Sequence, residues 1–366
     1  MILFITRKYP PAIGGMERVS YRLTTEISQR RDARIIAWGG SQKYLPLFAI
    51  SAFARALALG LAGEVELIHL GDLALGGLGY LLGRILRVPI VVTVHGLDVI
   101  YPNWFYQRVV SWVLPTFDAV IAISRATQAE CLERGVRPAR CFVVTNGVDP
   151  PPVDLPDRAE ARNRLATTYG LSLSDRDVLL TTGRLVRRKG VAWFVEEVLP
   201  SIIHLSPGTV YLVVGTGPDE ARIREAIVRT GLNDQVRLIG KVPNEDLWDA
   251  YRACELFVMP NIAVKGDMEG FGLVAIEAGL AERYVVASDL EGIRDAIVPP
   301  FNGDLVSPGD STALAKTIAN RLADPVGLDK LGRTARQFVT DRFGWNAIVD
   351  EYLRIFDACR RSTVKA

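Results

Sequence analysis

A rhythm that runs through the chain twice sets the tightest limit on its fold. In the first half, short runs rich in Val, Ile and Leu occupy residues 2–5, 34–38, 66–70, 89–94, 118–123 and 141–145, and most end in Gly, His, Ser or Asn. Continuous apolar runs of about five residues suit strands buried on both faces of a parallel sheet. Between the first two runs, Met16, Val19, Leu23 and Ile27 keep the spacing of an apolar helix face. Strand, helix, strand in repetition predicts a doubly wound parallel sheet.

At 149–157 the sequence turns to DPPPVDLPD, which can continue neither a helix nor a central strand and reads as a linker. The rhythm then restarts at 178–182, 210–214, 236–239, 256–259, 284–288 and 304–306, with helical patterns at 191–205, 220–230 and 273–281. The expected class is α/β: two Rossmann-like, doubly wound parallel-sheet domains facing a central cleft, over residues 1–150 and 151–343. A length of 366 residues accommodates two domains of ordinary size. A last helical pattern at 345–359 carries Trp345, Ile348, Val349, Tyr352, Ile355, Phe356 and Cys359 on one stripe. That stripe either closes the second domain or returns to cover the first.

Composition removes several classes. A net charge of +2 announces no broad basic surface, so no nucleic-acid partner is expected. The four cysteines lack C-x-x-C spacing and His69, His95 and His204 lie far apart, so no metal cluster is expected. The apolar run 2–5 is too short for a signal-peptide core. Stretches 45–63 and 73–86 are interrupted by Arg55 and Arg84, so no membrane span is expected. The expectation is a cytoplasmic protein, with scope for peripheral contact at the inner face of the membrane.

The chemistry concentrates where strands end. GRLVRRKG (183–190) follows the strand VLLTT and places Arg184, Arg187, Arg188 and Lys189 just before a helix. Cations held over a helix N-terminus suit a phosphate, although alone they read equally as a solvated basic loop. MEGFGLVAIEAG (268–279) puts Gly270 and Gly272 where backbone amides can approach an anion at a helix start. Glu269 precedes that helix and Glu277 lies about 6 Å along its axis, so the two carboxylates can hold different hydroxyls of one extended ligand. The plainer alternative is a capping Glu269 and a surface Glu277. GTGPDE (215–220) has Glu220 where a dinucleotide fingerprint has its third Gly, and reads as a tight turn lining the site. In the first half, YPPAIGGMER sets Gly14 and Gly15 between the first strand and first helix, and TVHGLDV places His95 at the carboxyl tip of a central strand. NGVD (146–149) reads as hinge or wall, and His204 as structural.

Taken in order, GGMER, TVHGLD, ISRAT, NGVD, GRLVRRKG, GTGPDE, VRLIGKV, EGFGLVAIEA and FNGDLVSPGD resemble the retaining glycosyltransferases of family 4, with the GT-B fold. The resemblance covers nearly the whole chain, and Glu, seven residues, Glu is its most specific part. It implies that the terminal helix, 344–362, crosses back to the first domain. It also implies that Arg184 and Lys189 neutralise the diphosphate of a nucleotide-sugar donor, aided by amides near Gly272 and Leu273. Glu277 would hold the ribose and Glu269 the transferred sugar, while Gly240 and Val242 meet the base. Gly14, Gly15 and His95 would face the phosphate and sugar, and Gly183, Gly215, Gly217, Gly270 and Phe271 would complete the donor site. The implied chemistry is metal-independent, front-face transfer without a cofactor, the nucleotide sugar being a substrate. The string Asp175–Asp177 reads as a loop coincidence. This chain departs from the family at Asn261, in the stretch IAVKGDM and at LEGIRD (290–295), which bears on the donor sugar.

The expected acceptor is a glycan or a lipid-linked sugar. Trp104, Phe105, Tyr106 and Trp112 with Arg108 read either as a helix packed in the domain or as a surface touching such a lipid. A nucleotide-sugar epimerase, a phosphorylase of the same fold and a non-catalytic binding protein are the rival readings.

Overall fold

The structure is a computed structural model and describes residues 1–12, 14–152 and 155–364. Ile13 of the first glycine turn and Val153 and Asp154 of the expected linker lie outside the described residues. Contacts divide the chain into two units. The first takes Met1–Val148, the short segment Gly266–Phe271 and everything from Phe343 on; the second takes Asp149–Lys265 and Gly272–Arg342.

The first unit is built on six parallel strands: β1 (Ile2–Thr6), β2 (Ala33–Ala37), β3 (Leu67–Leu70), β4 (Ile90–Val94), β5 (Ala119–Ala122) and β6 (Cys141–Val143). They run in the order β2-β1-β3-β4-β5-β6. β1 pairs on both sides, Ile2 opposite Ala33 and Leu67, so none of its residues has a solvent face. That explains an unbroken apolar run in place of alternation. The expected strands are all present, most with ends trimmed or shifted by one or two residues.

The terminal helix, Trp345–Val364, lies within this first unit. Its Tyr352 hydroxyl is 3.0 Å from the Thr93 hydroxyl on β4, which in turn is 2.9 Å from His69 Nε2 on β3. Phe4, His69 and Phe356 form a ring cluster beneath it, with centroids 5.2 to 6.3 Å apart. Each such aliphatic or aromatic side chain buried is worth roughly 1.5–3 kcal/mol, so the stripe at 345–356 suffices to seat the helix. The start of that helix is held by a parallel bridge between Val148 and Gly344.

The second unit repeats the plan with β7 (Val178–Thr182), β8 (Val210–Val214), β9 (Val236–Gly240), β10 (Leu256–Met259), β11 (Tyr284–Ser288) and β12 (Gly303–Val306). Its order is β12-β11-β10-β7-β8-β9, so the direction of winding reverses between β10 and β7. The helix expected over 191–205 is not uniform. Phe194–Val198 forms a π-turn in which the Leu199 amide donates to the Phe194 carbonyl, five residues back. Pro200 follows and has no amide hydrogen, so the wider turn relieves the ladder where the ring would break it. Among the described residues, no helix is long and apolar enough to cross a membrane.

Candidate functional site

In the second unit, the residues singled out from sequence sit at the carboxyl ends of adjacent strands. Gly183 follows β7, Gly215 follows β8, Gly240 ends β9, and Pro260 follows β10. The reversal of winding at β7 and β10 opens a crevice at those ends, where open α/β sheets bind ligands. The loops there are laced together: the Gly183 amide donates to the Val214 carbonyl at 2.9 Å and the Gly215 amide to the Gly240 carbonyl at 2.8 Å. Leu185 donates to the Thr216 carbonyl at 3.0 Å, fixing the stretch that contains Gly217. Val242, one residue past the Gly240–Lys241 corner, is half-buried.

The four cations divide by burial. Arg184 and Arg187 are exposed, Arg188 is half-buried, and Lys189 is only 8% exposed at the end of a single 3-10 turn. The stem of Lys189 passes over Gly183, which a Cβ would meet at 3.9 Å. Gly190 then closes the turn with φ +67°, and a Cβ there would stand 1.8 Å from the Pro260 carbonyl oxygen. Only glycine meets both demands, so the β7 loop can press directly on the β10 loop. The Ile262 amide adds a 2.9 Å bond to the Arg188 carbonyl. Burying an ammonium is costly unless it is paired and hydrogen-bonded, so the low exposure of Lys189 sets it apart from the neighbouring solvent-facing arginines.

Gly272, at φ +95°, caps the helix Leu273–Leu280. Glu277 in that helix is 6% exposed, so it is not a surface residue. Its Oε2 accepts a 2.9 Å hydrogen bond from the Tyr251 hydroxyl, which lies 3.0 Å from the Thr182 hydroxyl at the end of β7. A hydroxyl chain from β7 thus orients the Glu277 carboxylate. Tyr251 was not singled out from sequence. Its signal was available, since a tyrosine in the apolar row of the helix Asn244–Ala253 needs a partner for its hydroxyl.

The first unit holds the other set. Gly14 caps the helix Gly15–Ser28, and a Cβ on it would fall 2.2 Å from Glu17 Oε2. The Glu17 carboxylate therefore lies over this glycine turn, paired with Lys8 at 3.2 Å. His95 is 9% exposed, at the end of β4, with Nε2 3.0 Å from the Gly71 carbonyl oxygen at the end of β3. That bond makes Nε2 the protonated nitrogen of the neutral ring and leaves Nδ1 as the acceptor. Gly270 packs on the His95 main chain, where a Cβ would be 2.5 Å from the carbonyl oxygen. Glu269, beside it, is 8% exposed. Phe271 turns its ring onto Phe343, centroids 5.7 Å apart, so what it can offer a ligand is main chain.

A buried polar network beneath His95 escaped the sequence reading. Asp98 accepts from the His95 amide at 2.8 Å and from the Leu73 amide at 3.1 Å. Burial pushes the Asp98 carboxyl up; the His95 ring opposes this, Asp72 adds to it, and the two amides pull it back. Asp72 is fully buried and accepts from Arg7 at 2.8 Å and the Ala74 amide at 3.0 Å. Arg7, Asp72 and Asp98 thus join the ends of β1, β3 and β4. Asp98 was legible as the last letter but one of TVHGLDV; its pairing with main chain was not.

Asp177, of the D-x-D string, accepts from Ser206 at 2.7 Å in a loop before β7. Among the described residues, no group of three His, Cys, Asp or Glu side chains is arranged to hold a metal ion. Cys131 and Cys141 are both buried and hydrogen-bonded to each other, which raises the Cys131 thiol and lowers that of Cys141.

Two family profiles match the chain: Glycosyltransferase Family 4 over residues 13–151 and Glycosyl transferases group 1 over residues 176–324. A D-inositol 3-phosphate glycosyltransferase from Xylanimonas cellulosilytica is 32% identical over 326 residues, covering 82% of this chain and 74% of that protein. A GDP-mannose-dependent alpha-(1-6)-phosphatidylinositol monomannoside mannosyltransferase from Mycolicibacterium smegmatis is 26% identical over 377 residues, covering 94% and 95%. Among solved structures, Anabaena HepE in complex with UDP-glucose superposes with a TM-score of 0.77 at 22% identity, covering 98% of this chain and 99% of that one. Its fold is GT-B. With both sheets, both motif sets and these relatives in agreement, the chain belongs to the group 1, family 4 glycosyltransferases and transfers a sugar from a nucleotide sugar.

Proposed function

We propose that the enzyme is a retaining hexosyltransferase that moves a sugar from a UDP- or GDP-linked donor to a glycan or lipid-linked acceptor, without a metal or cofactor. The observation that carries this reading is the pairing, in one unit, of a buried Lys189 in the loop after β7, whose neighbour Gly190 presses on the β10 loop, with a buried Glu277 carboxylate tethered by Tyr251 to Thr182 at the end of β7. A cation in the loop after β7 and a carboxylate in the helix Leu273–Leu280, tied to the end of β7 through Tyr251, suit a ligand with a diphosphate at one point and a ribose diol at another.

In this reading Arg184 and Lys189 bind the diphosphate, helped by main-chain amides at Gly272 and Leu273, and Glu277 accepts from the ribose hydroxyls. Gly183, Gly215 and Gly217 leave room for the donor, and the corner at Gly240 and Val242 meets the base. Negative charge grows on the leaving phosphate as the sugar bond breaks, so the two cations contribute most in the transition state. Glu269, His95 and the Gly14–Gly15 turn act on the sugar, with Gly270 and Phe271 contributing main chain. The departing phosphate oxygen takes the acceptor proton, and the new bond forms on the face the nucleotide leaves, with retained configuration.

The test is a thermal-shift screen of UDP, GDP, ADP and their sugars, followed by transfer to glycan and lipid-linked acceptors with the product anomer read by NMR. A ligand at free concentration L that binds the folded state raises its stability by RT ln(1 + L/Kd), so at equal concentration the tightest binder gives the largest shift. Inverted product refutes the retaining assignment. Epimerised donor without acceptor, or phosphate-dependent sugar release, refutes the transferase chemistry.

A further inference from the structure

The first unit carries one surface that its own packing does not explain. Three helices, Leu45–Leu61, Gly76–Leu86 and Trp104–Val113, lie side by side over the sheet. Gly60 lets the first close on Leu86 of the second, where a Cβ would be 2.3 Å from Leu86 Cδ1. Tyr80 of the second meets Trp112 of the third at 4.5 Å between ring centroids. Between them runs an apolar groove of about 370 Å³, lined by residues that include Leu45, Pro46, Ala49, Leu78, Phe105 and Val109.

The outward faces of these helices are apolar as well. In the first, Leu47, Ile50, Ala54, Ala58 and Leu61 recur at helical spacing and all are exposed, while Phe48, Ala52 and Ala56 are buried on the opposite side. A helix apolar all round belongs inside a protein or against a lipid, yet this one lies at the surface. In the third, Trp104 is 76% exposed, Phe105 67% and Trp112 59%. Most of the exposed large apolar side chains among the described residues fall between Tyr44 and Trp112.

Charge selects the partner. The three helices contain no Asp or Glu, and each carries one charged residue, an exposed arginine: Arg55, Arg84 and Arg108. Lys43 and Arg87 flank them, also exposed. The exposed carboxylates that follow the first helix in sequence, Glu64 and Glu66, are paired with Arg34 and Arg360. A second copy of the chain would set these arginines against one another. We propose that this three-helix face docks on an anionic phospholipid bilayer, with the aromatic side chains at headgroup level and Arg55, Arg84 and Arg108 on lipid phosphates. The longest helix has 17 residues with Arg55 in its interior, so it lies on the bilayer and does not cross it. The proposal stands on the surface alone. It narrows the acceptor to a lipid-linked one without depending on transfer.

The experiment is flotation of the full chain with vesicles of phosphatidylglycerol and phosphatidylcholine, against phosphatidylcholine alone, with tryptophan emission recorded alongside. Binding and a blue shift on anionic vesicles, weakening with salt, are expected. The Arg55→Gln, Arg84→Gln, Arg108→Gln variant should bind about a hundredfold more weakly, at about fivefold per arginine. Trp104→Ser with Trp112→Ser should lose the blue shift while the circular dichroism stays unchanged. No binding to anionic vesicles overturns the proposal. So does binding indifferent to both variants, or a dimer in solution that the Trp104→Ser, Trp112→Ser variant dissociates. Nucleotide binding measured on the same samples reports the donor site separately, so loss of vesicle binding leaves the transferase assignment standing.

Discussion

Removing one oxygen from Tyr251 tests the hydroxyl chain that orients Glu277. In Tyr251→Phe the ring keeps its packing against Trp248 and Phe257, at 5.7 and 5.6 Å between centroids. What is lost is the 2.9 Å bond to the Glu277 carboxylate and the 3.0 Å contact with Thr182. A hydrogen bond to a charged group is worth about 1.5–3 kcal/mol, and Tyr251 is 1% exposed, so water cannot replace the donor without rearrangement. Denaturant unfolding should report a loss of that size. If roughly half of it reaches the ribose contact, the donor KM should rise about three- to tenfold, 1.4 kcal/mol being a factor of about ten. The turnover number should change far less, because a carboxylate on the ribose, as proposed for Glu277, would meet it in ground and transition states alike. A Tyr251→Phe, Glu277→Gln double-mutant cycle should show a coupling of about 0.5–3 kcal/mol in donor binding. Donor KM within twofold of the parent together with unchanged stability would refute the reasoning. Additive effects in the cycle would refute the link between the two residues.

Lys189→Ala should lower kcat/KM by about a hundredfold or more with the fold intact by circular dichroism, as removal of a preorganised transition-state donor does; near-parental turnover sinks the phosphate role. Gly190→Ala should cost roughly 1–2 kcal/mol from its left-handed backbone alone, and more from the 1.8 Å approach to Pro260. The measurable outcome is weakened nucleotide binding in calorimetry, and binding equal to the parent's would show that the β7 loop is not held this way. His69 gives a pH prediction. Burial first, and the His95 ring second, push it from 6.5 down to about 3. Below pH 6.5 the unfolded chain takes up a proton that the folded unit refuses, so stability falls between pH 6.5 and 3, at up to about 1.4 kcal/mol per pH unit. His69→Gln should flatten that limb in urea titrations at pH 7 and pH 5; an unchanged slope would show that His69 is not its source.

The site was legible unevenly, for physical reasons. Gly183–Lys189 and the Glu269–Glu277 pair are local motifs, each written in a few consecutive residues after one strand. Tyr251, Thr182, Arg7 and Asp72 are tied in through partners far away in sequence: Arg7 and Asp72 are 65 residues apart, and Thr182 and Tyr251 are 69. No spacing rule reaches such pairs. The helix Trp104–Val113 marks a different limit. Its aromatic content suited either packing within the domain or an outward surface, and the helix divides: Tyr106, Val110 and Val113 turn inward, while Trp104, Phe105 and Trp112 face out. A short helix so rich in apolar residues has more of them than one inner face can take.

The sequence by itself determined the twelve strands, the break into two similar halves and the loops that carry the cations and carboxylates. It could do so because buried parallel strands require continuous apolar runs, and strand ends require residues that turn. The tertiary structure decided strand order, the reversal that brings the β7 and β10 loops together, and the seating of the terminal helix on Thr93 and His69. It also decided that Lys189 and Glu277 are buried. Periodicity specifies which face of an element is apolar; which other element covers that face is settled only when all of them pack at once.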